Sequence, residues 1–243
     1  MNNQVNKDFI EFMIGEGLDY KPGDLQFYLN SFFNGVELRG KRILDIGGGS
    51  GLFSLYAAYK GAKYTLCLEP FGKGSSIKGS QPFYKMRDAL KLENVELEEV
   101  SVQEFKSEHQ FEMIMLHNSI NHLDEKACIS LRSSKYSQNI YRQIFEKMYA
   151  LAVPRTKLLI SDCSRNNFFD LIKVTNPFVP MIEWEKHQSP DIWIELLKSV
   201  GFVNPKVNWT SFNMLRSLGK VLTSNKLVAY FTTSHFRLLM NKP

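Results

Sequence analysis

The chain has few cysteines, no long apolar run and no strongly biased composition. Only three cysteines occur among 243 residues and none forms a CxxC pair, which argues against a disulfide framework and a zinc knuckle. No apolar run approaches the roughly 20 residues of a membrane-spanning helix, and the first residues lack the basic-then-apolar layout of a secretion signal. The composition, 44% apolar and 23% charged, is that of a globular protein. These absences predict a cytoplasmic protein with a single domain over residues 1–243.

Acidic residues are absent after Glu195. The last 48 residues carry seven lysines and arginines, whereas residues 1–195 carry 23 basic and 25 acidic side chains. A positive field over the C-terminal part favours an anionic substrate, nucleic acid or a membrane surface, and a solvated face without a partner is an equal alternative. Nucleic acid is the less favoured partner, because no run of interleaved basic and aromatic residues occurs.

Strand-like and helix-like segments alternate along the chain. The predicted strands are Arg42–Ile46, Tyr64–Leu68, Val95–Val100, Phe111–Leu116, Lys157–Ser161, Val207–Phe212 and Ser234–Met240. The predicted helices between them are Leu52–Lys60, Phe83–Leu92, Ile140–Leu151 and a segment from Ser189 to about Ser199. This alternation predicts an α/β fold with a doubly wound, mostly parallel sheet, an antiparallel C-terminal strand and helices on both faces.

Three segments fall outside this alternation. Residues 1–38 predict two N-terminal helices, separated by a turn at Lys21-Pro22-Gly23. Residues 163–189 and 213–232 are long connections, which in compact domains usually form lids or additional small elements. The second connection repeats apolar residues at helical spacing, which favours a packed helix over a helix on a membrane surface. We expect all three segments to border a substrate site beside a cofactor-binding core of residues 39–162.

The sharpest signal is a glycine turn between the first strand of the sheet and the helix after it. It reads DIGGGSG, and it contains Asp45, Gly47, Gly48, Gly49 and Gly51. Consecutive glycines let a ligand lie directly on the backbone, and the helix start offers N–H donors. The spacing does not fit the GxGxxG dinucleotide fingerprint or the GxxxxGK[ST] phosphate loop. An acid two positions before the glycines suits an ammonium group, and Glu69 ends the next strand, where acids accept from ribose hydroxyls. These features predict a nucleoside ligand with an amino-acid tail.

This combination resembles the Rossmann-like, class I S-adenosylmethionine-dependent methyltransferases, of an uncharacterised bacterial type. The likeness covers approximately Lys41–Ser164. It implies methyl transfer from S-adenosylmethionine to an oxygen or nitrogen acceptor on a small-molecule, sugar-like or lipid-linked substrate. An RNA or protein methyltransferase that uses the basic C-terminal part, and a non-catalytic binding module, are the alternatives.

The resemblance also implies roles for individual residues. Asp45 and the glycine turn would hold the methionine portion of the cofactor, and Glu69 would bind its ribose. Pro70 would lie beside the adenine, with Ser101 and Val102 at the adenine edge. Asn118 would border the sulfonium and the acceptor.

Transfer to a hydroxyl needs a general base, whereas an amine needs only to lose a proton before attack. The candidate bases are His117 and His122, which flank the end of the fourth strand, and His187, which precedes a helix start beside the first long connection. Their positions relative to the predicted site favour His117 and His187. Asp162, Arg165 and Asn166 follow the fifth strand and are candidate substrate contacts, with a solvated turn as the alternative for the last two. We expect no metal, because neither an HExxH motif nor a carboxylate cluster with ligand spacing occurs.

Overall fold

Helices and strands alternate through the computed structural model, which describes residues 2–71, 79–210 and 225–243. The strands are β1 (Arg42–Ile46), β2 (Tyr64–Leu68), β3 (Val95–Glu98), β4 (Phe111–His117), β5 (Ala152–Cys163), β6 (Val203–Trp209) and β7 (His235–Asn241). The helices are α1 (Asn2–Gly15), α2 (Pro22–Phe32), α3 (Leu52–Tyr59), α4 (Gln81–Ala89), α5 (Glu125–Ser130), α6 (Lys135–Leu151), α7 (Phe168–Leu171), α8 (Pro190–Ser199) and α9 (Lys226–Tyr230).

The strands form one seven-stranded sheet in the order β3-β2-β1-β4-β5-β7-β6. The first five strands in this order run parallel to one another, and β7 pairs antiparallel with both β5 and β6. The strand order reverses between β1 and β4. Strands β2 and β3 lie on one side of β1, toward one edge of the sheet, whereas β4 and β5 lie on its other side. Ligands of open α/β sheets bind at the carboxyl ends of the strands beside such a reversal.

Helices cover both faces of the sheet, as the alternation predicted. On one face, buried side chains of α1, α2, α3 and α4 pack against odd-numbered residues of the central strands, such as Ile43 and Met113. On the other face, buried side chains of α5, α6 and α8 pack against even-numbered residues, such as Leu44 and Ile114. Because side chains alternate along a strand, this division fixes the face to which each residue at the strand ends points.

Most predicted elements are present, with shifts at their ends. Strand β5 extends beyond the predicted Lys157–Ser161 at both ends, because it has neighbours on both sides. Strand β6 begins at Val203 rather than at the predicted Val207, and it contains Pro205. Because β6 is an edge strand, a proline whose nitrogen faces outward removes no hydrogen bond from the sheet. Helix α6 begins at Lys135, five residues before the predicted start, behind the side-chain cap of Ser134.

The first long connection is fully described, whereas the second is described only from residue 225. Residues 163–189 contain α7 and a 3₁₀ turn at Trp184–Lys186. The apolar repeat predicted in the second connection lies outside the described residues, which resume at position 225. Helix α9 follows. No helix in residues 2–71, 79–210 and 225–243 is long and apolar enough to cross a membrane.

Candidate functional site

The glycine turn follows β1 and leads directly into α3. Gly47, Gly49 and Gly51 have φ angles of 69°, 58° and 80°, a region that side chains with a Cβ rarely adopt. A Cβ atom on Gly47 would lie 2.5 Å from Cβ of Ser119, and one on Gly51 would clash with the Phe83 ring. The turn therefore needs glycine both for its backbone conformation and for its close packing.

Asp45 lies beneath the turn with no exposed surface. Its Oδ2 accepts a hydrogen bond of 2.6 Å from the Ser54 hydroxyl, while Oδ1 has no partner among the described residues. Burial raises the pKa of Asp45 to about 7, and the Ser54 hydrogen bond opposes this shift. A Cβ atom on Gly48 would lie 2.6 Å from Oδ2 of Asp45, so the carboxyl group supports the turn directly.

Glu69 faces the turn from the end of β2. Its Oε2 accepts a hydrogen bond of 2.7 Å from the Gly49 main-chain N–H, and only 7% of the residue is exposed. Pro70 follows it and is partly exposed. The glycine turn and Glu69 thus lie in direct contact, and the binding of a ribose by Glu69 stays a prediction.

The residues predicted at the adenine edge lie after β3. Val102 is 2% exposed and belongs to the core on the α5, α6 and α8 face. Ser101 is partly exposed, and its hydroxyl donates to Oε2 of Glu104 over 2.7 Å. Their contact with an adenine stays a prediction.

A cavity of about 750 Å³ lies at the carboxyl ends of β4 and β5. Asn118 lines it, and the next residue, Ser119, packs against Gly47 of the glycine turn. Its floor consists of side chains from β5, β7 and β6, and α2 supplies aromatic walls. Phe178 and Val179 from the first long connection also line it, and the role of this connection as a lid stays a prediction. Its volume falls within the roughly 300–1,000 Å³ of small-molecule sites.

Asn118 directly follows β4 and lines the cavity. Its φ is 50°, its main-chain N–H donates to the Ser161 carbonyl over 2.7 Å, and its Oδ1 lies 3.2 Å from Nε2 of His235. Nδ1 of His235 lies 2.7 Å from the Thr210 hydroxyl. Burial lowers the pKa of His235 to about 4, with Asp162 raising it and His187 lowering it, so this imidazole is neutral at physiological pH. The neutral ring fits a donor at Nε2 and an acceptor at Nδ1.

His117 points to the α1–α4 face and is surrounded by aromatic rings. Its ring stacks on Phe53 at 4.3 Å, and its Nε2 shares a hydrogen bond of 2.6 Å with the Tyr28 hydroxyl. Burial lowers the pKa of His117 to about 3, and His235 adds to the shift. This environment makes it a weak base, and the geometry favours a role in holding Tyr28, which lines the cavity.

His187 lies on the opposite face and forms a pair with Asp162. Nδ1 of His187 lies 3.0 Å from Oδ1 of Asp162, which also accepts from the Cys163 main-chain N–H over 2.7 Å. Asp162 points away from the cavity, whereas its neighbours Ser161 and Cys163 line it. The two candidate bases therefore lie on different faces of the same strand ends.

Arg165 and Asn166 lie outside the lining of the large cavity. Oδ1 of Asn166 accepts from the Arg132 guanidinium over 3.1 Å, and Asn166 borders a smaller cavity of about 150 Å³. Arg165 is partly exposed. Their role in substrate binding stays a prediction.

Neither Arg237 nor His235 is among the site residues that the sequence predicted. Both project from β7 into the large cavity. A lone arginine within the apolar run FRLLM was an available signal, because a charged residue in a buried strand position needs a partner. Nothing local in the sequence shows that this partner lies on α2.

Solved structures share this architecture. A candidate S-adenosylmethionine-dependent methyltransferase from Listeria monocytogenes superposes with a TM-score of 0.61 at 15% identity, over 91% of this chain and 97% of its own. A SAM-dependent methyltransferase from Aquifex aeolicus gives 0.56 at 16% identity, over 90% and 89%. The N-methyltransferase NodS from Bradyrhizobium japonicum, in complex with S-adenosyl-L-homocysteine, gives 0.53 at 11% identity, over 90% and 85%.

The fold is that of the class I methyltransferases. At these identities the likeness concerns the fold alone, and neither a scan against protein-family models nor a search of curated proteins found a match. Within the methyltransferase fold, the glycine turn and Glu69 occupy the strand ends at the reversal of the sheet, where ligands bind. Across the described residues, no three His, Cys, Asp or Glu side chains come together as a metal site.

Proposed function

We propose that the protein is an S-adenosylmethionine-dependent methyltransferase whose acceptor is a small molecule bound in the 750 Å³ cavity. The observation that carries this proposal is the glycine turn facing Glu69 at the reversal of the sheet, with the cavity beside it. When bound, S-adenosylmethionine supplies a methyl group on a sulfonium sulfur, which passes to a nucleophilic oxygen or nitrogen as a neutral thioether leaves.

The residues at the turn fit such a cofactor. The glycines leave no Cβ between a ligand and the backbone. The N–H groups of the four glycines donate within the protein, so the N–H groups of the first turn of α3 are the ones available to a carboxylate. Glu69 has a second oxygen for ribose hydroxyls while its Oε2 holds Gly49. Asp45 acts from beneath the turn, through its contact with Gly48 and its hydrogen bond from Ser54 of α3, rather than through exposed surface. Pro70, Ser101 and Val102 are proposed to border the adenine.

The acceptor side depends on orientation and on exclusion of water. Asn118 is fixed by its main-chain bond to Ser161 and by His235, so its side chain is held at the wall of the cavity. Aromatic side chains of α2 and Phe178 form apolar walls. The size of this cavity supports a small molecule over an RNA or protein acceptor.

His187 is the better-supported candidate base of the two histidines. The carboxylate of Asp162 holds Nδ1–H, which leaves Nε2 as the basic nitrogen, as in other carboxylate–histidine pairs. Nε2 has no hydrogen bond to any residue in the described part of the chain. His187 does not line the cavity, so its proposed role is to accept the proton of an acceptor hydroxyl that reaches past the end of β5 to Nε2.

Calorimetry with S-adenosylhomocysteine tests the cofactor site. We expect the wild-type protein to bind it, and Glu69→Ala to weaken binding at least about tenfold, because charged hydrogen bonds to ribose contribute about 1.5–3 kcal/mol. Glu98→Ala is the matched control, since Glu98 ends the neighbouring strand β3 and is exposed. Equal affinity of wild type and Glu69→Ala, or no binding, would contradict the proposal.

Turnover is tested separately, by transfer of labelled methyl groups from S-adenosylmethionine to compounds of a small-molecule extract. Labelled product supports the enzyme. Binding without any labelled product, in the small-molecule, RNA and protein fractions alike, would instead favour a non-catalytic binding module.

A further inference from the structure

Arg237 lies at the floor of the large cavity and is only 5% exposed. Its Nε donates to the Phe32 carbonyl over 2.6 Å, and its Nη2 donates to the Asn34 carbonyl over 2.7 Å. A guanidinium has five N–H donors, and these bonds use one edge of it. Nη1 has no hydrogen bond to any residue in the described part of the chain.

The charge of Arg237 has no acidic partner within the described residues. It takes part in none of their ion pairs, and no Asp or Glu is among the described residues that line the cavity. Burial lowers the pKa of Arg237 to about 10, so the guanidinium remains charged at neutral pH. A buried cation without an anion is unfavourable, and this one borders a cavity.

Two neutral polar side chains flank Arg237. Ser161 on β5 and Asn208 on β6 lie directly opposite it in the sheet register, and both line the cavity. Side chains directly opposite in antiparallel strands have Cβ atoms about 4.5–5.5 Å apart. Arg237 is thus the centre of a polar row across three strands, in which the Asn208 amide adds donors beside the cation, while the Ser161 hydroxyl donates to the Phe236 carbonyl over 3.2 Å.

The walls above this row are apolar. Phe27, Tyr28 and Phe32 of α2 line the cavity on one side, and Trp209 of β6 lines it on another. A ligand that fits both parts has an anionic end on the floor and an aromatic or otherwise apolar body between the walls.

We propose that Arg237 binds a carboxylate of the acceptor, so that the acceptor is a small carboxylic acid with an apolar body. The identification of the bound acid as the methyl acceptor rests on the proposed function, whereas the anion site itself does not. A carboxylate is favoured over a phosphate because the remaining guanidinium edge presents two parallel N–H groups to two coplanar oxygens. One cation also balances one carboxylate charge, whereas a phosphate dianion would remain uncompensated.

The test compares two ligands of the same shape, 1-naphthaleneacetate and 1-naphthaleneacetamide, by calorimetry. We expect wild type to bind the acid at least about tenfold more tightly than the amide, and Arg237→Gln to lose this preference. Lys242→Gln is the matched control, because its ammonium also donates to two main-chain carbonyls, of Tyr149 and Ala152, but does not line the cavity. The control should keep the preference.

A second measurement does not depend on folding of the Arg237→Gln variant. The Nε–Hε resonance of Arg237 in wild type should shift on addition of the acid and stay unchanged with the amide. Absence of a preference in wild type, including failure to bind either compound, would overturn the proposal. A preference for the acid that persists in folded Arg237→Gln would also overturn it. So would a competition experiment in which inorganic phosphate displaces the acid at a lower concentration than acetate does.

These outcomes are independent of the cofactor site. If S-adenosylhomocysteine binds and the acid shows no preference, the acceptor assignment is wrong and the methyltransferase proposal stands. If the acid binds through Arg237 and S-adenosylhomocysteine does not bind, the anion site is correct and the proposed function is wrong.

Discussion

Nδ1 of His187 lies 3.0 Å from Oδ1 of Asp162, a carboxylate with no exposed surface. The other oxygen of Asp162 has no partner among the described residues. The imidazole and one main-chain N–H are therefore the donors that this buried carboxylate has in the described part of the protein. Such a pair fixes the tautomer and the orientation of the histidine.

Replacement of His187 tests whether this pair moves a proton. We expect His187→Gln to lower kcat for a hydroxyl acceptor by about 10²–10⁴-fold, as for loss of a general base, with little change in S-adenosylhomocysteine affinity. Rates are measured by S-adenosylhomocysteine formation from pH 6 to 9. His109→Gln is the control, because His109 is exposed and hydrogen-bonds only through its main chain. Full activity of His187→Gln would contradict the general-base role. The rate enhancement would then come from alignment of the acceptor with the methyl group.

The glycine turn gives a prediction with a matched control in the same chain. Gly47 and Gly40 have φ angles of 69° and 72°, but an added Cβ meets Ser119 at 2.5 Å in the first case and nothing within 4 Å in the second. Gly40→Ala should cost about 1–2 kcal/mol of strain. Gly47→Ala should cost about 1–3 kcal/mol more, from the clash. Urea unfolding measures both, and equal losses would contradict the packing role of the turn.

How much of this site the sequence predicts depends on the distance along the chain between its parts. Asp45, the glycines and Glu69 lie within 25 residues, in strands whose order follows from the alternation, so their meeting was predictable. Arg237 meets Phe32 across 205 positions, and His187 meets Asp162 through a connection without a regular pattern. Such contacts depend on how α2 and the long connection fold over the sheet, which hydrophobic periodicity does not determine.

Two partly buried histidines give the stability of the protein a pH dependence. The pKa values of His117 and His235 fall from 6.5 to about 3 and about 4 on burial. The unfolded chain therefore binds protons between those values and pH 6.5 while the folded protein does not. This contribution to stability is complete above pH 6.5 and is lost as the pH falls. Asp45 acts in the opposite direction, since its pKa rises from 3.8 to about 7 and its contribution is lost as the pH rises through that value.

The variant His117→Gln isolates one histidine from these opposing effects. Between pH 7 and pH 5, its free energy of unfolding should fall by about 2 kcal/mol less than that of wild type, because one unfolded-state proton uptake is removed. Urea unfolding at the two pH values measures the difference. His109→Gln should follow wild type, and an identical pH dependence of all three proteins would show that His117 titrates normally.

Removal of one hydroxyl tests the wall of the cavity. Tyr28→Phe keeps the ring that stacks on Tyr20 but leaves Nε2 of His117 without its hydrogen-bond partner, at 2.6 Å in wild type. We expect a loss of about 1–3 kcal/mol in the free energy of unfolding, measured by urea unfolding. Tyr20→Phe is the control. Comparable small losses in both variants would show that the Tyr28–His117 hydrogen bond contributes little.

Arg237 ties β7 to the C-terminal end of α2, so the floor and one wall of the cavity come from stretches about two hundred positions apart. A molecule held between them favours the closed arrangement of both at once. Its presence should therefore slow amide hydrogen exchange in residues 28–34 and 235–239 together, by a similar factor. In the exchange map, two distant parts of the sequence would then report a single occupancy.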